Sequence, residues 1–312
     1  MDSLVRFSQG SAPLTLLLGL VVTLATAEAL WPRRPGAGPG PSRWANNAGL
    51  LVINAYVQAL LALAGALPMA LLAAQKGWGL FHLLSVPAWA AIPLAVAAMD
   101  LAFYGRHRLL HALPGLWRIH QVHHDDRAVD VSTGFRFHPL EAALDLLSWA
   151  GVTLLLGAPA ASVALTKLLA IGINLLQHAN LAIPARLDVP LRRVVITPDM
   201  HRIHHSVRGP EADSNYGVLF PWWDRLFGTY RPEPRGGHRG MTLGITGRIN
   251  PRLEILPGQL LTPFLESGNP NPGSGERRAA PLPEREDEDP PRESPASAHP
   301  GAGLPRTGKG RP

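Results

Sequence analysis

Long apolar runs separated by short polar breaks dominate the first hundred residues. The first, 13–31 (PLTLLLGLVVTLATAEALW), is long enough to cross a bilayer as a helix, with Glu28 as its one charge near the end. A second run covers 48–74 and is interrupted by Pro68. A third covers 79–103, after a turn at Lys76 and Gly77. Residues 142–179 are apolar again, with a break at Gly157-Ala158-Pro159 that predicts two helices folded into a hairpin. Beyond 265 the chain turns to Pro, Gly, Ser and mixed charge, with too little apolar surface to fold alone.

The pattern predicts an all-α, polytopic membrane helical bundle. Its spans occupy residues 1–105, and a histidine-rich helical cap on the cytoplasmic side occupies 106–265, including the membrane hairpin 142–179. A disordered tail follows at 266–312. Arg33, Arg34 and Arg43 crowd the loop between the first two runs. If that loop stays in the cytoplasm, the second span leads out and the third returns, which delivers Arg106 and the segment after it to the same side. Ala25-Thr26-Ala27 also fits a signal-peptide cleavage site, but cleavage there would leave three arginines outside.

Composition narrows the chemistry. Hydrophobic residues make up 46% of the 312 and charged residues 17%, and there is no cysteine. Disulfides, thiolate zinc sites, iron–sulfur clusters and cysteine nucleophiles are therefore excluded, and any metal must be held by His or carboxylate. The net charge of +6 is not arranged as a basic run interleaved with aromatics, so nucleic acid is not an expected partner. Ala/Gly/Pro richness without an organelle signal points to a bacterial inner membrane.

Of 13 histidines, ten fall between residues 107 and 205: His107 and His111 (HRLLH), His120, His123 and His124 (HQVHH), His138, His178, and His201, His204 and His205 (HRIHH). Spacings of three and four place imidazoles on one helical face, and neutral imidazole is the commonest ligand for iron, zinc and copper. Asp100, Tyr104, His107 and His111 continue one such stripe. Asp100 either accepts a hydrogen bond from a ligand imidazole or marks the membrane edge. No dinucleotide fingerprint, phosphate loop, nucleophile elbow or HExxH pattern competes. The alternative to an enzyme is a metal-handling transporter or sensor. Transport needs ligands at the midplane of the spans, and these spans are nearly devoid of them.

The motifs DLAFYGRHRLLH, LWRIHQVHHD, FRFHPLE, QHANL, TPDMHRIHHS and NYGVLFPWWDRLFGTY, in that order between Asp100 and Tyr230, resemble the fatty acid hydroxylase superfamily, also called the sterol desaturase family. The resemblance implies a membrane-bound, O2-dependent oxidoreductase with two non-haem iron ions that hydroxylates or desaturates a C–H bond of a lipid or sterol-like substrate taken from the bilayer. It implies metal ligation by His107, His111, His120, His123, His124, His201, His204 and His205. It adds His178, which stands where relatives place further ligands, and with less force His138. Asn180 stands where some relatives carry a second histidine, so it is expected beside the site without ligating. No haem motif is present, so the expected electron donor is a separate cytochrome b5-like protein, ferredoxin or reductase.

Overall fold

The computed structural model describes residues 12–36, 40–246 and 254–265. These contain no named strand. The principal helices are α1 (Ala12–Leu30), α2 (Pro41–Leu60), α3 (Ala66–Lys76), α4 (Ala88–Ala112), α5 (Pro114–His124), α6 (Pro139–Leu156), α7 (Ala160–His178), α8 (Pro198–His204), α9 (Trp222–Leu226) and α10 (Leu256–Leu265). Four of them, α2, α5, α6 and α8, open on proline, whose fixed φ suits the first helical turn and whose missing N–H costs nothing there. The tail expected at 266–312 lies outside the described residues.

Among the described residues, α4, α6 and α7 are long and apolar enough to cross a membrane. Their outward leucines, such as Leu94, Leu147 and Leu155, remain exposed, as lipid-facing side chains would be. The protein is a membrane protein on these grounds. The hairpin turns where expected: Gly157 ends α6 at φ 64°. A Cβ on the facing Gly79 would sit 2.1 Å from the Gly157 nitrogen, so this close approach requires glycine.

The run 48–74 departs from its expected single span. It is split between α2 and α3 by a 3-10 turn at Ala62–Ala64 and by Gly65. The first half is tied to protein rather than lipid. Buried Asn47 donates to Ser132 Oγ (2.9 Å) and Asn54 to the Phe137 carbonyl (2.9 Å). The third run also ends elsewhere, because α4 continues past 103 to Ala112 and the boundary drawn at 105 falls inside this helix. One rigid rod therefore joins the apolar bundle to the first two histidines.

The core of the bundle is built from small residues. Ala66 and Ala70 of α3 meet Ala91, Ala95, Met99 and Phe103 of α4, and Phe103 stacks on Trp149 of α6 at 4.8 Å. Small side chains let membrane helices approach closely enough for van der Waals packing to hold them. α1 is built into the same fold: Leu24 packs with Val131, Leu175 and Ala179. Glu28 Oε1 accepts the backbone N–H groups of Val131 (2.8 Å) and Asn180 (2.6 Å).

Candidate metal centre

Nine of the ten clustered histidines converge at one end of α4 and α7, in two adjacent groups. One comprises His107, His111, His120, His124 and His204; the other comprises His123, His178, His201 and His205. Within each group the ligand atoms lie within 4.8 Å of one another, and every member is buried. The His124 and His205 rings, one from each group, stack with centroids 4.6 Å apart.

Helical geometry divides the two triple motifs between the groups. Residues four apart share a face, whereas neighbours diverge by about 100°. In HQVHH, His120 and His124 enter the first group and His123 the second. In HRIHH the split is mirrored, with His201 and His205 in the second and His204 in the first. His107 and His111, again four apart, both join the first.

Hydrogen bonds aim several of these rings. The carbonyls of Tyr216, Ser214 and Asn174 accept from Nδ1 of His107 (2.9 Å), His204 (2.9 Å) and His178 (2.6 Å). Glu141 Oε1 lies 2.8 Å from Nδ1 of His120 and serves as its acceptor. A carbonyl cannot donate, so the proton is held on Nδ1 and the lone pair on Nε2 faces the cluster. Nε2 of His107, His120 and His204 has no hydrogen-bond partner despite full burial. In the second group, Nε2 of His178 lies 3.1 Å from that of His123 and 3.0 Å from that of His201, whose Nε2 is 3.3 Å from that of His205. Two nitrogens each about 2.1 Å from one metal ion, at right angles, would be about 3.0 Å apart. The donors fit a metal ion in chemistry and spacing.

Electrostatics favours the same state. Burial first, and neighbouring imidazoles second, hold His120, His124, His201 and His205 well below the usual histidine pKa; burial dominates for His123 and His204 too. The rings are neutral, as ligation requires. Trp117 packs on His111 and His124, Phe137 stacks on His123 at 4.5 Å, and Tyr216 lies against His107, His111 and His204.

Three expected site residues lie elsewhere. His138 caps α6, with Nδ1 accepting from Leu140 N–H, while its Nε2 lies 3.1 Å from the Leu260 carbonyl of α10. It is not in either group, because both ring nitrogens are engaged at the start of α6, one by Leu140 N–H and the other beside the Leu260 carbonyl. Asp100 receives Leu219 N–H (2.8 Å), Phe220 N–H (3.1 Å) and Trp223 Nε1–H (2.8 Å), so its carboxylate ties the 217–223 loop to α4 instead of orienting an imidazole. Asn180 holds the arginine loop, its Oδ1 accepting from Arg34 N–H (3.0 Å).

Sequence reasoning assigned no role to Glu141, although FRFHPLE contains it; a carboxylate three residues after a histidine at a helix start was the available signal. It also read Arg33 and Arg43 only as orientation signals. Arg33 pairs with Asp199 of α8 (2.9 Å), and Arg43 pairs with Asp126 (2.7 Å) and Asp130 just beyond α5. Asp199 also pairs with buried Arg202. The arginine loop thus lies on the same side of the fold as the histidines.

The fold and site define a helical membrane protein with two adjacent all-histidine groups that could each hold a metal ion. Residues 92–229 match the fatty acid hydroxylase family profile. The chain is 29% identical over 257 residues to the ornithine lipid hydroxylase OlsE of Rhizobium tropici, covering 81% of this chain and 73% of that one. It is 32% identical over 160 residues to the alkylglycerol monooxygenase of Danio rerio, and 27% over 157 residues to that of Homo sapiens. Each alignment takes in 50% of this chain but only 34% and 33% of the relatives. No solved structure matches. Over residues 92–229 the chain carries the fatty acid hydroxylase family pattern; it is an oxidoreductase, and the family's use of iron agrees with the donor set.

Proposed function

We propose that this protein hydroxylates a C–H bond in the apolar chain of a membrane lipid, using O2 and two iron ions, one held by each histidine group. The observation that carries the reading is the pair of adjacent, buried, all-imidazole groups at the end of membrane-length helices. Bound there, the iron pair supplies the activation of O2 and the removal of hydrogen from an unactivated carbon.

The chain's own residues do the positioning. The Nδ1 anchors at Tyr216, Ser214, Asn174 and Glu141 fix the direction of four lone pairs before any metal arrives. Trp117, Phe137 and Tyr216 exclude bulk water, which protects a reactive centre from side reactions. Glu141 is the only side chain among the four anchors; the other three are backbone carbonyls. Hydroxylation is favoured over desaturation because the named relatives are hydroxylases or monooxygenases, and a polar lipid with an acyl or alkyl chain is the substrate class their names share. We place the centre on the cytoplasmic face of a bacterial inner membrane, where a separate cytochrome b5-like protein, ferredoxin or reductase delivers electrons.

The test is iron stoichiometry with Mössbauer spectroscopy on iron-57-enriched protein purified anaerobically, followed by lipid mass spectrometry of membranes exposed to 18O2. Two coupled irons and a lipid carrying one labelled oxygen are expected. One metal or none in active protein, or no labelled lipid, would overturn the reading.

A further inference from the structure

A groove of about 330 Å3 runs along the lipid-facing side of α4, floored by Gly105 and walled by Leu101, Leu109, Tyr104 and Phe227, with Arg108 at its polar end. It is separate from the metal centre. At about 100° per residue, Leu101, Gly105 and Arg108 share one face of α4, whereas His107 and His111 share another. Two rings stand between them: Tyr104 stacks on Phe227 at 5.4 Å and meets Tyr216 edge-on, and Tyr216 in turn covers the imidazoles.

The depth of the groove can be read along the helix. Exposed Trp89 marks one end of α4, as interfacial tryptophans do. From Ala88 to Arg108 the helix rises about 30 Å at 1.5 Å per residue, roughly the thickness of the hydrocarbon core. Arg108 therefore stands at the headgroup boundary, and Leu101 lies about 10 Å deeper. Its guanidinium lies 5.9 Å from the Tyr104 ring centroid, hydrogen-bonds the Tyr104 side chain and feels the Asp224 carboxylate without forming a salt bridge among the described residues. Tyr104 is held in place by a 2.9 Å hydrogen bond between its hydroxyl and Thr229 Oγ1.

We propose that this groove binds one membrane lipid with an anionic headgroup. Its chain lies over Gly105 between Leu101, Leu109 and Phe227, and its phosphate meets Arg108. An apolar trough that begins in the hydrocarbon layer and ends at an arginine matches such a lipid in both depth and charge, and the match holds whatever reaction the metal centre performs. Guanidinium recognises phosphate through paired hydrogen bonds, so the preference is for anionic over zwitterionic lipid.

Gly105 offers a probe, because a Cβ there meets nothing within 4 Å and a larger side chain would project into the groove that Gly105 lines. The experiment reconstitutes the full chain into nanodiscs of mixed phosphatidylglycerol and phosphatidylcholine and counts retained lipid by native mass spectrometry after delipidation. Wild type should retain one phosphatidylglycerol per chain. Arg108→Gln should lower the preference for it about fivefold. Gly105→Phe should abolish retention of that lipid, with helicity and elution volume unchanged. Equal retention of the two lipids by wild type, an unaltered preference in Arg108→Gln, or displacement of the lipid by inorganic phosphate alone would overturn the proposal. If Gly105→Phe fails to fold, the Arg108→Gln arm still decides.

Discussion

The two histidine groups differ in how firmly they are built. In the five-member group, His107, His120 and His204 each have Nδ1 anchored, two on carbonyls and one on Glu141. In the four-member group His178 is anchored on Asn174, and His123 approaches the Arg136 backbone more loosely. Nδ1 of His201 and His205 has no hydrogen-bond partner among the described residues. The five-member group is thus a preorganised cage. The four-member group has fewer donors and looser orientation, and a metal held there would have more room for a small molecule. Enzymes that activate small molecules at a metal keep such open positions.

The largest effect expected from disturbing this arrangement is loss of ligation. His204→Ala and His178→Ala, one in each group, should each lower turnover more than about 100-fold, by analogy with the 10–100-fold cost of losing a supporting partner. If the comparison holds, His178→Ala should retain one iron per chain, while His204→Ala loses its iron from the other group. Iron content measured beside activity separates them, and full iron in both variants would refute the ligand assignment.

A smaller effect should follow from removing an anchor. Glu141→Leu should weaken metal affinity about 10–100-fold, and Glu141→Gln, which keeps an acceptor oxygen for His120, should restore part of it. Titration against a competing chelator measures both. Equal affinity in wild type and Glu141→Leu would show that the carboxylate does not orient the ring.

Acid should act on both groups together. The folded-state pKa values of His120, His123, His124, His201, His204 and His205 lie below the unfolded value of 6.5, so the unfolded chain binds more protons. Their contribution to stability is present above pH 6.5 and is lost as pH falls towards the folded values. Metal-free protein should therefore melt at a progressively lower temperature between about pH 7.5 and pH 5, and the holoprotein should release metal over the same range. A melting temperature that is flat with pH would contradict neutral burial.

The smallest change is expected at Asn180. Its side chain serves the Arg34 backbone, so Asn180→His should not raise the metal content of the four-member group. An added iron ligand detected spectroscopically would show that the arginine loop yields to coordination.

Much of this was legible in the sequence. Apolar run length announced α4 and the α6–α7 hairpin, because a helix that faces lipid must be apolar over a bilayer's thickness. The histidine spacings identified the rings that converge. The expectation that each motif presents its imidazoles in one direction holds only at spacing four: His120 and His123, and His201 and His204, three apart, enter different groups. Other features depend on contacts between distant segments. His138 carries the same residue type as the cluster but is engaged instead at the start of α6 and beside Leu260 of α10. Asp100 reads as a helix-stripe neighbour of His107, yet it serves a loop more than a hundred residues away in sequence. Glu141 gains its role because α6 brings it against α5.

The chain alone therefore determined the class of fold, the donor chemistry and the identity of most converging histidines, since each follows from hydropathy, residue type or local period. The tertiary structure decided the division into five and four, the anchors that aim each lone pair, and the groove beside Arg108. These arise from helix packing and side-chain direction, which no local pattern specifies.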